Sequence, residues 1–189
     1  MLTAKLVTTE EELAQIARLS ASNLVTNISV ETKAAEGFVT WSYPLATLKL
    51  LHALQPSVTV KDHDIVAGYA LVLTRECTVV YPPLKGMIEH MRGLPFRGQP
   101  LLDHRVYVMG QICVHPAYRG KGVVDLLYQF HRQEFSSRFD LLVTEISTSN
   151  IRSMKAHLKT GFNVIDTYRD EQDEWNVVLW DWRSQRGSG

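Results

Sequence analysis

Arg119-Gly120-Lys121-Gly122 stands where a β-type run ending at His115-Pro116 hands over to apolar residues at helical spacing, in the stretch VHPAYRGKGVVDLLY. The first turn of a helix leaves N–H groups without intrahelical partners and carries the positive end of the macrodipole, so such a junction is suited to an anion. Glycines let the backbone approach it closely. A phosphate is therefore the expected ligand. The pattern G-x-x-x-x-G-K-[ST] fails here, because Val123-Val124 follow Gly122 and supply neither a lysine nor a hydroxyl for magnesium. The dinucleotide pattern G-x-G-x-x-G accepts Gly120 and Gly122, but Asp125 occupies the third glycine position and the loop comes late in the chain.

The elements that must position this loop can be read from pattern. Residues 2–7 read as a strand, and Thr9 before Glu10, Glu11 and Glu12 reads as a helix start with a hydroxyl cap and an acidic first turn. Leu13, Ile16, Ala17 and Leu19 give that helix an apolar face. After an irregular stretch interrupted by Gly37, Pro44 opens a second helix with Leu45, Leu48, Leu51 and Leu54 directed inward. Residues 57–61 and 65–74 form a hairpin about Asp62-His63-Asp64. Residues 75–104, with four prolines around KGMIEHM, are either a surface excursion or a loop covering the substrate. A strand over 105–115, a helix from 123 to about 136 with Val123, Leu127 and Phe130 inward, and a strand over 141–147 make a β-helix-β unit, expected to be a parallel pair. Ser149 or Asn150 caps a helix over 151–160 that Gly161 stops, and strands over 162–169 and 175–182 close the chain. The expected fold class is α/β, with a mixed, mostly antiparallel central sheet flanked by helices.

Composition narrows the function. The 189 residues suit a single domain over 1–183, with 184–189 as a flexible tail. Lysine plus arginine (20) equals aspartate plus glutamate (20), which gives no reason to expect nucleic acid or a membrane surface as partner. No apolar signal core or membrane-length stretch is present, so a soluble, intracellular, cytoplasmic protein is expected. Cys77 and Cys113 do not make a disulfide framework or a metal pair, and Cys113 within VYVMGQICV reads as a small buried residue rather than a nucleophile. The seven histidines show no ligand-type pairing, Asp62-His63-Asp64 reads as a turn, and no metal is expected.

With these elements laid out, the chain resembles the GCN5-related N-acetyltransferase family, whose acetyl-CoA loop reads [QR]-x-x-G-x-[GA]. Residues 119–124 match that pattern except at Val124. ICVHPAYRGKG resembles the family's lead-in, and NIRSMKAHLKTGF resembles its N-x-x-A-x-x-x-Y-x-x-x-G-F helix at identical spacing. The resemblance implies an acyl-CoA acyltransferase fold and an acetyl-CoA-dependent N-acetyltransferase that acts on a primary amine by direct attack in a ternary complex. It places acetyl-CoA against Ile112, Cys113, Val114, Arg119, Gly120, Lys121, Gly122, Val123, Val124 and Asn150. Arg119 and Lys121 add charge near the phosphates or are ordinary surface cations, and Asn150 is a cofactor contact, a helix cap, or both. Val124 either displaces the pyrophosphate slightly or turns into the helix packing. Gly110 eases a bulge or serves packing.

Two residues are implied for catalysis. Glu145, five residues before Asn150, matches a glutamate proposed as base in some members; otherwise it is a strand residue paired with a cation. His157 takes the position of the family's proton-donating tyrosine, and either keeps that role as an imidazolium or is a hydrogen-bonded structural histidine. Glu36, Phe38, Trp41, Tyr43, Asp173 and Trp175 are the candidates for the acceptor cleft, the tryptophans reading first as core. The substitutions at 124 and 157 also support a rival, a CoA-binding sensor that has lost catalysis. The acceptor amine and the oligomeric state are not legible.

Overall fold

The segment IVAGYALVL over Ile65–Leu73 buries every residue after the first, so both of its faces must be covered, and a layer of helices is required on each side. The computed structural model describes residues 1–27 and 38–183; Glu36 and the expected tail over 184–189 lie outside the described residues. In chain order the elements are β1 (Leu2–Leu6), α1 (Glu10–Ser22), α2 (Leu45–Leu54), β2 (Val58–Asp62), β3 (Ile65–Leu73), α3 (Cys77–Val80), α4 (Leu84–Arg92), β4 (Pro95–Phe96), β5 (Gln99–Pro100), β6 (Val106–Val114), α5 (Val123–Phe135), β7 (Leu141–Ser147), α6 (Ile151–Thr160), β8 (Asn163–Arg169) and β9 (Glu174–Asp181). Seven strands form one sheet in the order β1-β2-β3-β6-β7-β9-β8. Of the strand pairs in this sheet, β6–β7 is the parallel one and the others are antiparallel. The expected mixed, mostly antiparallel sheet is therefore present.

Alternation along the strands divides the core in two. Tyr69, Leu71 and Leu73 of β3 with Val177 and Leu179 of β9 face a layer holding Leu13, Ile16 and Leu19 of α1, Leu48 and Leu51 of α2 and Ile88 and Met91 of α4. Ala70, Val72, Val178 and Trp180 face the opposite layer, where α5 contributes Val123, Leu127, Tyr128 and Phe135. Thr9 and Glu12 complete a reciprocal capping box at the start of α1.

Two inward expectations need correcting. Leu54 is exposed and Leu45 only partly buried, because a three-residue step lags a 3.6-residue turn by about 60°, so a run of four such leucines winds off the core face at its ends. Phe130 is partly buried at the edge of its layer, while Tyr128, His131 and Phe135 carry the buried face of α5.

The feature that positions the site is a fork. β6 pairs with β7 only from Val106↔Leu141 to Val108↔Val143, and beyond that the two strands have no ladder between them. The Thr144 hydroxyl donates to the Met109 carbonyl, 2.8 Å, at the branch. On its other edge β6 carries a bulge over Gly110 and Gln111, between the pairs Val72↔Met109 and Ala70↔Ile112. A Cβ at Gly110 would lie 2.2 Å from Leu73 Cδ1, so the packing against Leu73 calls for glycine here. The Gln111 amide so re-aimed donates to the Trp41 carbonyl, 2.6 Å, and accepts from Ser20 Oγ, 2.9 Å, and from the Tyr69 hydroxyl.

Candidate active site

The turn over residues 119–122 folds as its glycines allow. Gly120 and Gly122 sit at φ of +74° and +77°, in the left-handed region that costs an L-residue about 1–2 kcal/mol. Gly122 ends the turn as N-cap of α5, with no side chain capping the helix. The first-turn N–H groups of α5 thus lack a side-chain acceptor at the edge of a cleft of about 400 Å³. Of the residues expected to hold the cofactor, Ile112, Cys113, Val114, Arg119, Gly120, Gly122, Val123, Val124 and Asn150 line this cleft. Lys121 does not; its ammonium lies 5.3 Å from the centroid of the Tyr118 ring. Val124 packs against the α5-side core while still facing the cleft.

Charge in the cleft comes partly from residues that the sequence reading missed. Arg119, held by a 2.6 Å bond from Nη2 to Asn23 Oδ1, is joined by Arg152 and Lys159, against the one acid Asp125 among the described lining residues. Three cations and a set of open amide donors fit a polyphosphate. Arg152 and Lys159 are seven residues apart, two helical turns, and that spacing was the available signal. The Asn150 amide is committed at both ends: Oδ1 accepts from the Ser153 N–H, 3.3 Å, and Nδ2 donates to the Phe38 carbonyl, 2.9 Å. Its cap role is thereby seen directly. Burial pushes the Cys113 thiol up to about 12, which leaves it protonated and inert.

Where β6 leaves β7 there is a small cavity of about 60 Å³, the throat, which shares Phe38, Ile112, Asn150 and His157 with this cleft and adds Thr144, Glu145 and Trp175. Beyond the throat a second cleft opens, of about 530 Å³. Glu145 belongs to both the throat and this second cleft. Burial pushes its carboxyl up to about 7; the Tyr168 hydroxyl, which donates to Oε1 over 2.9 Å, pulls the other way, and Asp170 adds to the rise. No cation pairs with Glu145 among the described residues, so the alternative of a structural ion pair finds no support.

His157 is placed differently from what the proton-donor expectation needs. It is 2% exposed, its Nδ1–H donates to the Ser153 carbonyl over 2.8 Å, and its Nε2 is shut away from solvent beside the Tyr128 and Phe162 rings. Burial lowers its pKa to about 4, with the Ser153 carbonyl opposing. A neutral imidazole whose single N–H is already given to a carbonyl has no proton to supply near neutrality. Of the two readings open for His157, this geometry supports the hydrogen-bonded structural histidine. The His157→Ala variant is accordingly expected to lose roughly 2–3 kcal/mol of stability through the cavity it leaves, and to keep the shape of its pH–rate profile. A lost limb in that profile, alongside normal melting, would restore the donor role.

The second cleft takes Trp41, Tyr43 and Trp175 from the expected set, Trp41 at 38% exposure and Trp175 buried. Phe38 belongs instead to the first cleft and the throat. Asp173 is not among the lining residues; its Oδ1 accepts the Glu174 N–H in the β8–β9 turn, and Asp170 and Gln172 face the cleft in its place. Tyr81, Leu84 and Met87 line it from residues 75–104, so this excursion forms part of the cleft wall. The excursion is clasped onto β8 by His90 of α4. The imidazole stacks on the Tyr168 ring, with centroids 3.6 Å apart, and its Nε2 lies 2.7 Å from Asp166 Oδ2. Asp166 and Tyr168 share one face of the strand, so a single side chain engages both.

Comparison with known proteins adds three findings. The family model described as acetyltransferase (GNAT) family matches residues 36–162. No curated protein matches the sequence. Among solved structures, an N-acetyltransferase from Staphylococcus aureus Mu50 is similar over 96% of this chain and 99% of its own, at 17% identity and a TM-score of 0.65. The ribosomal-protein-S18-alanine N-acetyltransferase from Escherichia coli aligns over 96% and 94%, at 14% identity and 0.61. The yncA protein of Salmonella typhimurium, solved with its cofactor acetyl-CoA, aligns over 96% and 94%, at 16% identity and 0.61.

Proposed function

The chain belongs to the GNAT acetyltransferase family, and from that premise we propose that it transfers the acetyl group of acetyl-CoA to a primary amine by direct attack in a ternary complex. The observation that carries the reading is the pair of clefts at the β6–β7 fork, with the throat between them sharing lining residues with each and holding Glu145. A sensor that only bound CoA would have no use for a second cleft or for a carboxylate tuned to neutrality. Acetyl-CoA supplies an activated thioester carbonyl.

The backbone of residues 119–124 and the cations Arg119, Arg152 and Lys159 would hold its diphosphate. Ile112, Cys113 and Val114, on the stretch of β6 that has left β7, would flank the acyl end and supply a main-chain N–H to stabilise an oxygen gaining negative charge. Glu145, ionised above about pH 7, removes the proton that the amine must lose as its nitrogen bonds to the carbonyl carbon and the C–S bond breaks. The leaving sulfur takes its proton from water, since His157 has none to offer. We assign the protein to the cytoplasm, a reading that the free thiols of Cys77 and Cys113 support.

Release of CoA from acetyl-CoA, followed with a panel of primary amines, tests the reading. Saturable amine-dependent release is expected. Tight CoA binding with no amine-dependent release from any of them would leave the sensor standing instead.

A further inference from the structure

The two clefts differ in charge, and the difference points to the kind of acceptor. The first carries Arg119, Arg152 and Lys159. Among the described residues lining the second there is no lysine, arginine or histidine; the charged groups are Glu145 and Asp170, both acids. Trp41, Tyr43, Tyr81, Leu84, Met87 and Trp175 are among the large apolar and aromatic residues of its wall. Asp170 belongs to a turn that also carries Glu171 and Asp173, so the field at that rim is negative. A carboxylate or phosphate on the acceptor would enter this cleft desolvated, facing two carboxylates, with no cation to meet it.

We propose that the acceptor is a primary amine carried on an uncharged, apolar body, free of any anionic group near the nitrogen, and that the 75–104 excursion selects it. The inference rests on the reading of the second cleft as the acceptor side. Tyr81, Leu84 and Met87 bring apolar surface from the excursion, and His90 fixes that surface by engaging Asp166 and Tyr168. A volume of about 530 Å³ admits an aromatic or branched aliphatic body with its amine at the throat. This chemistry has two sources: a free arylalkylamine, or the N-terminus of a polypeptide whose first side chain is large and apolar and whose carboxyl is in amide linkage.

The test compares CoA release with 2-phenylethylamine, phenylalaninamide, phenylalanine, glycinamide, spermidine and a short peptide beginning with phenylalanine. Phenylalaninamide or phenylethylamine should exceed phenylalanine in kcat/KM by roughly thirty-fold or more, and glycinamide by roughly ten-fold or more. The peptide arm separates the two sources, since a free-amine enzyme turns over phenylethylamine far better than the peptide. Gly86, on the cleft wall in α4, has nothing within 4 Å of an added Cβ, so the Gly86→Arg variant introduces a cation at the wall without a clash at its Cβ. It should cut the amide-to-acid preference at least about ten-fold by admitting phenylalanine. Equal rates for phenylalanine and its amide, a clear preference for spermidine or glycinamide, or an unchanged preference in Gly86→Arg would each overturn the inference while leaving acetyl transfer intact. CoA binding with no release from any amine would instead overturn the acetyl-transfer reading itself, and this inference with it.

Discussion

Replacing Glu145 by glutamine is expected to slow acetyl transfer roughly 100- to 1,000-fold and to make the folded protein more stable above neutral pH. The two effects share one cause. The Glu145 carboxyl lies at about 7 because burial disfavours its charge, whereas a carboxyl in the unfolded chain lies near 4.5. The folded state therefore holds this proton more tightly than the unfolded state. Stability from this group is fully present below about pH 4.5 and is lost as pH rises toward and through 7. The whole difference amounts to about 3 kcal/mol above pH 7, which glutamine escapes because it never ionises. Denaturant melts of the parent and Glu145→Gln should coincide near pH 4 and separate by pH 8, with the variant the more stable. In the same window the parent's kcat/KM should rise through an apparent pKa near 7, and the variant should lack that limb. A parent profile flat from pH 6 to 8 would remove Glu145 from the role of base.

Gly122→Val should strike the other side of the fork. At φ +77° the backbone disfavours any side chain, and a β-branched one most of all, so about 1–2 kcal/mol of folding stability is expected to go. The larger loss lies in binding. Nothing stands within 4 Å of a Cβ at this position, and Gly122 lines the first cleft, so the larger side chain is expected to crowd the approach of the diphosphate to the turn. We expect the KM for acetyl-CoA and the Kd for CoA to rise at least about ten-fold, with kcat at saturation much less affected. Calorimetry with CoA on folded variant protein checks this, and an affinity within two-fold of the parent would mean that the phosphates are held elsewhere.

What the sequence by itself determined is what adjacent residues impose on one another. The Thr9 cap, the Gly161 stop, the Asp62–Asp64 turn and the glycine turn at the head of α5 all depend on conformational preferences and hydrogen bonds a few residues apart, so they were legible along the chain. Pairing of β6 with β7 was legible too, since strand-helix-strand connections leave little choice. Only the tertiary structure decided what each titratable group would do. Glu145 and His157 are both polar residues near the fork, yet one keeps a carboxylate on the path between two clefts and the other is shut in an aromatic core with its proton already given to Ser153. The choice of Asp170 over Asp173 as a cleft residue, the cations at 152 and 159, and the clasp of His90 on Tyr168 likewise follow from elements far apart in the chain. Desolvation and field are sums over everything packed around a group, and that packing is set by the whole fold rather than by the residues next in line.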